Sequence, residues 1–270
     1  MIIINCQFKI LHNRINLFFR EYGQGAPALV ILHGLLGSSQ NWQRAAKIFS
    51  EKCRVLVVDQ RNHGSSPHTA THSVADLRED IKYFFEQQRL DDAYLLGHSM
   101  GGLAAMEFAF HYPERLAGLI IEDIAPRPYQ SSSGDILRAL GAIDLRTVTS
   151  REEVEAMLAK DIKSPRTRQF LLTNLVRRDN GTFAWKANLP VLQAFQQEMA
   201  TYEPPLAASY SGATLFIGGE LSDYRLDHDH DVILRHFPNS KLMMISNAGH
   251  WIHFEAVEAF TDEVMRFISS

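Results

Sequence analysis

The sequence predicts an α/β domain with a mostly parallel sheet, helices on both faces and an inserted helical segment. Three observations predict it. Apolar runs at residues 28–32, 54–58, 93–96, 116–123, 213–219 and 241–245 have the composition of strands, most of them buried on both faces. Helical stretches separate most of these runs, and strand–helix–strand alternation implies parallel pairing. From about residue 127 to 207 the alternation stops, and the pattern is helical with no buried strand.

In chain order, residues 2–10 and 16–22 read as two strands joined near His12-Asn13, a hairpin at one sheet edge, followed by the turn Gly23-Gln24-Gly25. A helix over 39–49 follows the first buried strand. Ser73-Val74-Ala75-Asp76 resembles a capping box with Asp in place of Glu, and opens an amphipathic helix to about residue 88. Another helix, over 103–110, follows the strand at 93–96. Beyond Asp123, the residues Ile124-Ala125-Pro126 break the rhythm, and the clearest helical pieces are then 151–159, 166–176 and 189–199. Consecutive prolines cannot continue a helix, so Pro204-Pro205 marks the exit. The reading therefore divides the chain into a core, 1–125 and 207–270, and a helical cap, 126–206. Helices over 228–237 and 254–268 flank the last strand.

Composition narrows the function. A chain of 270 residues, 46% hydrophobic, can bury one large core. A net charge of -4 gives no electrostatic case for nucleic acid as a partner, and a small neutral or mildly charged ligand fits better. Cys6 and Cys53 show no metal-ligand spacing, the usage of a reducing compartment. The apolar start Met1-Ile2-Ile3-Ile4 is too short for a signal-peptide core, and no window approaches a membrane span, so the expectation is a soluble cytoplasmic protein. Asp227-His228-Asp229-His230-Asp231 has the residue types of a metal site, but acids are favoured at the positive start of a helix, and no metal is expected.

The chemistry concentrates at strand ends. Gly97-His98-Ser99-Met100-Gly101 is a G-x-S-x-G turn between an apolar strand and a helix, which presents Ser99 outward on a strained backbone. Serine is a poor nucleophile at neutral pH and needs an imidazole to take its proton and a carboxylate to hold the imidazole tautomer. His250, in Gly249-His250 after the last buried strand, is the candidate base; His253 reads as a helix-start residue. An acyl-transfer site also needs oxyanion donors. The amide of Met100, at a helix N-terminus, is one, and that of Leu35 in the loop His33-Gly34-Leu35-Leu36-Gly37-Ser38 is the other. Arg61, Asn62 and His63 read as loop-bracing residues.

These motifs, with Asp59-Gln60-Arg61-Asn62-His63-Gly64-Ser65-Ser66 and Ala248-Gly249-His250, make the chain resemble the α/β-hydrolase superfamily from end to end of the core. The run 59–66, the Asp123-Ile124-Ala125-Pro126 junction and Trp185-Lys186-Ala187-Asn188-Leu189 narrow the resemblance to small bacterial esterases and their mitochondrial relatives that act on short acyl esters and acyl-thioesters. The resemblance implies an eight-stranded sheet with one antiparallel strand, no cofactor, and a serine hydrolase working through an acyl-enzyme on Ser99. A carbon–carbon bond hydrolase, a cofactor-free perhydrolase and a non-catalytic ligand receptor on the same fold are the alternatives.

The acid departs from the superfamily's commonest pattern. Its usual place, shortly after the strand at 214–218, is held by Ser222. Asp223 stands one residue beyond, and Asp123 stands at the end of the strand after the elbow helix, where some superfamily members carry their acid. A one-residue step turns a side chain to another side of a loop, whereas Asp123 shares the strand edge from which Ser99 emerges. Asp123 is the preferred acid and Asp223 the alternative. Strand alternation points Glu122 to the opposite face. The cap carries eleven Lys and Arg against nine acids, a slight excess that would favour an anionic leaving group such as a coenzyme A thioester.

Overall fold

The computed structural model describes residues 14–129 and 133–270. Its strands in chain order are β1 (Phe19–Tyr22), β2 (Ala28–Leu32), β3 (Arg54–Val58), β4 (Ala93–His98), β5 (Leu116–Glu122), β6 (Leu175–Arg177), β7 (Phe183–Trp185), β8 (Thr214–Gly219) and β9 (Ser240–Ile245). The helices are α1 (Gln43–Phe49), α2 (Val74–Gln88), α3 (Met100–His111), α4 (Ser133–Gly141), α5 (Arg151–Leu158), α6 (Pro165–Leu172), α7 (Leu189–Thr201), α8 (His230–His236), α9 (Ile252–Glu255) and α10 (Val257–Ile268). Among the described residues, no helix is long and apolar enough to cross a membrane.

Seven strands form one sheet in the order β1-β3-β2-β4-β5-β8-β9. Every pairing is parallel except β1 with β3. The strand expected over 2–10, and with it one arm of the edge hairpin, lies outside the described residues, as does Cys6. Alternation along the central strands feeds two apolar layers. Val30, Leu32, Leu56 and Val58 face a cluster with α2, α3 and α8, whereas Leu29, Ile31, Val55 and Val57 face one with α1 and α10.

Several boundaries differ from the sequence reading, each for a local reason. The stretch expected as a helix over 39–49 begins with a 3-10 turn, Ser39–Trp42, before α1. The terminal helix is broken at Ala256, where φ is -136° and ψ 52°, into α9 and α10. Ser73 caps α2 as expected: its hydroxyl accepts from the Asp76 amide at 3.0 Å.

The largest difference is in the inserted segment. The helix expected over 166–176 stops at Leu172, and residues 175–185 form the antiparallel hairpin β6–β7. Its turn contains Asp179-Asn180-Gly181, with Gly181 at φ +82°. That turn chemistry outcompetes the helical periodicity on which the sequence reading relied. α4 was also not singled out by periodicity. The segment has its own apolar cluster, including Leu137, Leu140, Val154, Leu158, Leu171 and Leu192, and among the described residues Leu36 is the one buried member contributed from outside residues 137–192.

Candidate active site

Ser99 sits between β4 and α3 with φ 52° and ψ -119°, a conformation that L-residues adopt only when the surroundings impose it. Three hydrogen bonds impose it. The Ser99 amide donates to the Glu122 carbonyl at 3.0 Å, and the Ser99 carbonyl accepts from the amides of Gly102 at 2.7 Å and Leu103 at 3.0 Å. The flanking glycines permit the approach of strand and helix. A Cβ on Gly97 would collide with the Gly101 carbonyl, and one on Gly101 would lie 2.5 Å from the Leu32 carbonyl oxygen.

Asp123 follows β5 at φ 54° and is fully buried. Its Oδ1 accepts from the Gly219 amide at 3.1 Å. Its Oδ2 accepts from the Ser222 hydroxyl and from His250 Nδ1 at 2.7 Å. Of the two candidate acids, the fold brings Asp123 to the imidazole, while Asp223 is exposed at the rim of the same cavity. Tyr224 stacks on the His250 ring, centroids 4.1 Å apart and planes 7° from parallel, so the ring is held in orientation from its face as well as from Nδ1. Sequence reasoning noted Ser222 as the position lacking an acid and as a brace should neither Asp serve. Its contact with Asp123 and the stacking of Tyr224 are through-space relations for which the sequence carries no periodic signal.

Ser99 and His250 line one cavity of about 370 Å³ with Leu35, Phe170 and Trp251. The roof comes from the inserted segment: Thr167, Phe170 and Leu171 on α6, with Phe170 packed on Trp251 at 5.2 Å between ring centroids. Among the described residues, Asp223 and Glu255 belong to the lining and no Lys or Arg does. Four arginines of the inserted segment are paired with acids, one of them at the cavity lining. Arg166 pairs with Glu255 at 3.4 Å, Arg168 with Glu155 at 3.9 Å, Arg146 with Asp144 at 2.8 Å and Arg138 with Asp135.

The loop after β2 is held by neutral imidazoles. The Gly34 carbonyl accepts from His33 Nδ1 at 2.8 Å and from the Gly37 amide at 2.9 Å. Because a trans peptide is planar with N–H and C=O opposed, anchoring this carbonyl sets the direction of the Leu35 N–H. His33 Nε2 in turn accepts from the Gln60 amide at 3.0 Å. His63 accepts from the Leu36 amide at 3.1 Å through Nε2 and donates to the Arg61 carbonyl at 2.9 Å through Nδ1. Arg61 itself clasps Asp80 with two bonds of 2.6 and 2.8 Å, and Asn62 reaches Thr69 and Thr71. The run 61–63 is a brace for the loops beneath the cavity.

Burial holds the imidazoles of His33, His63 and His98 below their ordinary range, and pushes that of His72 down to about 3. Neighbouring imidazoles reinforce the effect at His63 and His98, and Arg61 at His72.

Groups that could hold a metal are otherwise occupied. His98, Glu122 and His253 bring potential ligand atoms within 4.8 Å of one another. Yet His98 Nε2 donates to the His250 carbonyl at 2.9 Å, and Glu122 accepts from the His253 amide and Nδ1, each at 2.9 Å. Glu122 thus lies on the face away from Asp123's partners. In the run 227–231, Asp229 accepts from Arg127 at 2.6 Å and from the Tyr129 hydroxyl at 3.2 Å, and Asp227 pairs with Arg225 at 2.9 Å.

The sequence matches the alpha/beta hydrolase fold family over residues 27–257. It is 36% identical over 251 residues to an sn-1-specific diacylglycerol lipase ABHD11 of Mus musculus, covering 90% of this chain and 81% of that one. It is 29% identical to esterase YbfF of Escherichia coli over 89% of this chain and 92% of the relative. A solved marine microorganism esterase superposes with a TM-score of 0.91 at 36% identity, over 94% of this chain and 99% of that one.

Two outcomes follow from this geometry. Asp123→Asn keeps the shape but loses the charge that selects the His250 tautomer, so kcat for an ester should fall by up to ~10⁴. Asp223→Asn should cost less than about tenfold; a collapse confined to Asp223→Asn would reverse the assignment. The second outcome concerns acid. Four imidazoles bind protons less readily folded than unfolded, so their contribution to stability is complete above the ordinary histidine value of 6.5 and is lost as pH falls, for His72 down to about 3. Each costs about 1.4 kcal/mol per pH unit over the interval in which only the unfolded chain is protonated. Urea unfolding at pH 7 and pH 5 measures this, and equal stabilities would contradict it.

Proposed function

Because the chain belongs to the alpha/beta hydrolase fold family, we propose that it is a carboxylic ester hydrolase that cleaves small acyl esters through an acyl-enzyme on Ser99. The observation that carries the reading is that Ser99 and His250 line one cavity while the buried Asp123 accepts from the far nitrogen of the same imidazole. Relatives named as an esterase and a diacylglycerol lipase support the same reaction class.

In this reading His250 Nε2 takes the Ser99 proton as Oγ attacks the ester carbonyl carbon. The amides of Leu35 and Met100 receive the charge that develops on the carbonyl oxygen, each worth roughly 3–4 kcal/mol of barrier. His250 then returns the proton to the departing alkoxide, leaving an alcohol and an acyl group on Ser99. Water attacks that acyl group, His250 accepts the water's proton and passes it to Ser99, and the carboxylic acid leaves. Residues 126–206 act as the cap that bounds the acyl pocket. Neutral esters suit the cavity better than coenzyme A thioesters, because among the described residues its lining holds two carboxylates and no cation, and of the two only Glu255 has an arginine beside it, Arg166.

Ser99→Ala and His250→Ala should each lower turnover of a chromogenic acetate or butyrate ester by on the order of 10³-fold or more, and the double variant should be no worse than either. A fluorophosphonate should label wild type at Ser99 alone, located by peptide mass mapping; substantial turnover by Ser99→Ala would refute the mechanism. The charge argument has its own measurement. A neutral butyrate ester should be preferred over the matching ester of a dicarboxylic acid with one free carboxylate. Asp223→Asn should narrow that preference several-fold, less so at high salt, since screening acts over about 8–10 Å.

A further inference from the structure

The four hydrogen bonds that fix the loop carrying the Leu35 amide do not all come from the core. His33 and Gly37 hold the Gly34 carbonyl, and His63 holds the Leu36 amide. The fourth is the Asn174 side chain, whose Nδ2 donates to the Leu36 carbonyl at 2.7 Å from 138 residues further along the chain. Leu36 is a left-handed residue, φ 60°, and 3% exposed. Such a backbone persists in a non-glycine residue only where its surroundings over-determine it. The Leu36 side chain also packs in the apolar cluster of the inserted segment, so one residue is gripped from that segment through its carbonyl and its side chain together.

Asn174 is itself placed firmly. It joins α6 to β6 and is 3% exposed; its backbone N–H donates to the Leu171 carbonyl at 3.0 Å and its backbone carbonyl accepts from the Lys186 amide at 2.8 Å. We infer that Asn174 is a positioning residue for the reaction: through the Leu36 carbonyl it fixes the Leu35–Leu36 segment, and so aims the Leu35 amide at the oxyanion. The cap then completes the oxyanion site rather than only bounding the acyl pocket. This rests on the ester-hydrolase reading above.

Removing the donor leaves the Leu36 carbonyl buried without its partner and frees the adjacent peptide to turn. Asn174→Leu, nearly isosteric, should lower kcat roughly 10- to 100-fold with KM little changed, as for a displaced transition-state contact. Affinity for an alkylboronic acid, whose anionic tetrahedral adduct on Ser99 needs the oxyanion donors, should fall in step with kcat/KM. Affinity for the carboxylic acid product should hold. Asn174→Asp gives a readout that a merely structural role would not move. Its carboxylate cannot donate to Leu36, but its protonated form can, and burial raises the pH at which it protonates. Its activity relative to wild type should therefore climb as pH falls from 8 to 6.

Thermal unfolding of each variant accompanies the kinetics. If Asn174→Leu does not fold, the pH profile of Asn174→Asp decides. Wild-type kcat in both variants, a parallel loss of boronate and product affinity, a relative activity of Asn174→Asp independent of pH, or failure of both variants to fold would each overturn the inference. Wild-type protein that turns over no ester would overturn the hydrolase reading and this inference with it, whereas an active wild type with unaffected variants would overturn the inference alone.

Discussion

The buried carboxylate of Asp123 is the constraint on which the rest of the site depends. An ionised group with no exposure to water is tolerated only when its oxygens are saturated with donors. Here the donors come from three separate places, the Gly219 amide at the end of β8, the Ser222 hydroxyl and the imidazole of His250. Satisfying one charge therefore ties the β5 end to the β8 loop and to the loop after β9, which are the segments that must converge. Ser222 has a clear physical place in this arrangement. An acid at 222 would set a second negative charge against Asp123, while a serine supplies the hydrogen that the first charge requires. Its hydroxyl also accepts from the Tyr224 amide at 3.2 Å, which steadies the loop that stacks Tyr224 on His250.

How much of this could be read from the sequence depended on whether the relation was local. The elbow around Ser99 was legible because strand, glycines and helix are contiguous, and the parallel core because buried strands write continuous apolar runs. His250 and Asp123 were legible as positions at strand ends. What separated Asp123 from Asp223 was where the β8 loop turns, a tertiary matter that leaves Asp223 at the rim and sends Ser222 inward. Asn174 left no trace at all, because nothing about its neighbours in sequence shows that its amide meets a carbonyl 138 residues away. The hairpin β6–β7 was missed for a different reason: three-residue strands are too short to register a period, and the informative signal was the turn around Asn180-Gly181.

Charge along a segment and charge at a cavity are different quantities. A surplus of basic residues over a segment describes its far field, but the cavity experiences only those left uncompensated nearby. Arg166 illustrates the difference. It lies close to the mouth, yet it is shared between Glu255, itself part of the lining, and the face of Phe254 at 5.9 Å. The local balance is set by pairing geometry, which a linear sequence does not record.

The histidines make the last point, because the same side chain is used in two opposed ways within one site. His33 and His63 each donate through Nδ1 to a carbonyl and accept through Nε2 from an amide, an arrangement possible only for neutral imidazole. Burial enforces that neutrality by penalising the cation, so these rings behave as fixed spacers with one donor and one acceptor. His250 differs in two respects. One edge meets the Asp123 carboxylate in place of a carbonyl, and the ring keeps 20% of its side-chain surface open toward the cavity. An imidazole able to cycle between neutral and charged forms must have both, a counter-charge behind it and access in front. His33 and His63 are buried and bond carbonyls through Nδ1, and His253, which does have the Glu122 carboxylate behind it, is buried and lacks the access. That contrast, more than position after the last strand, is the physical ground for separating one proposed base from the histidines around it.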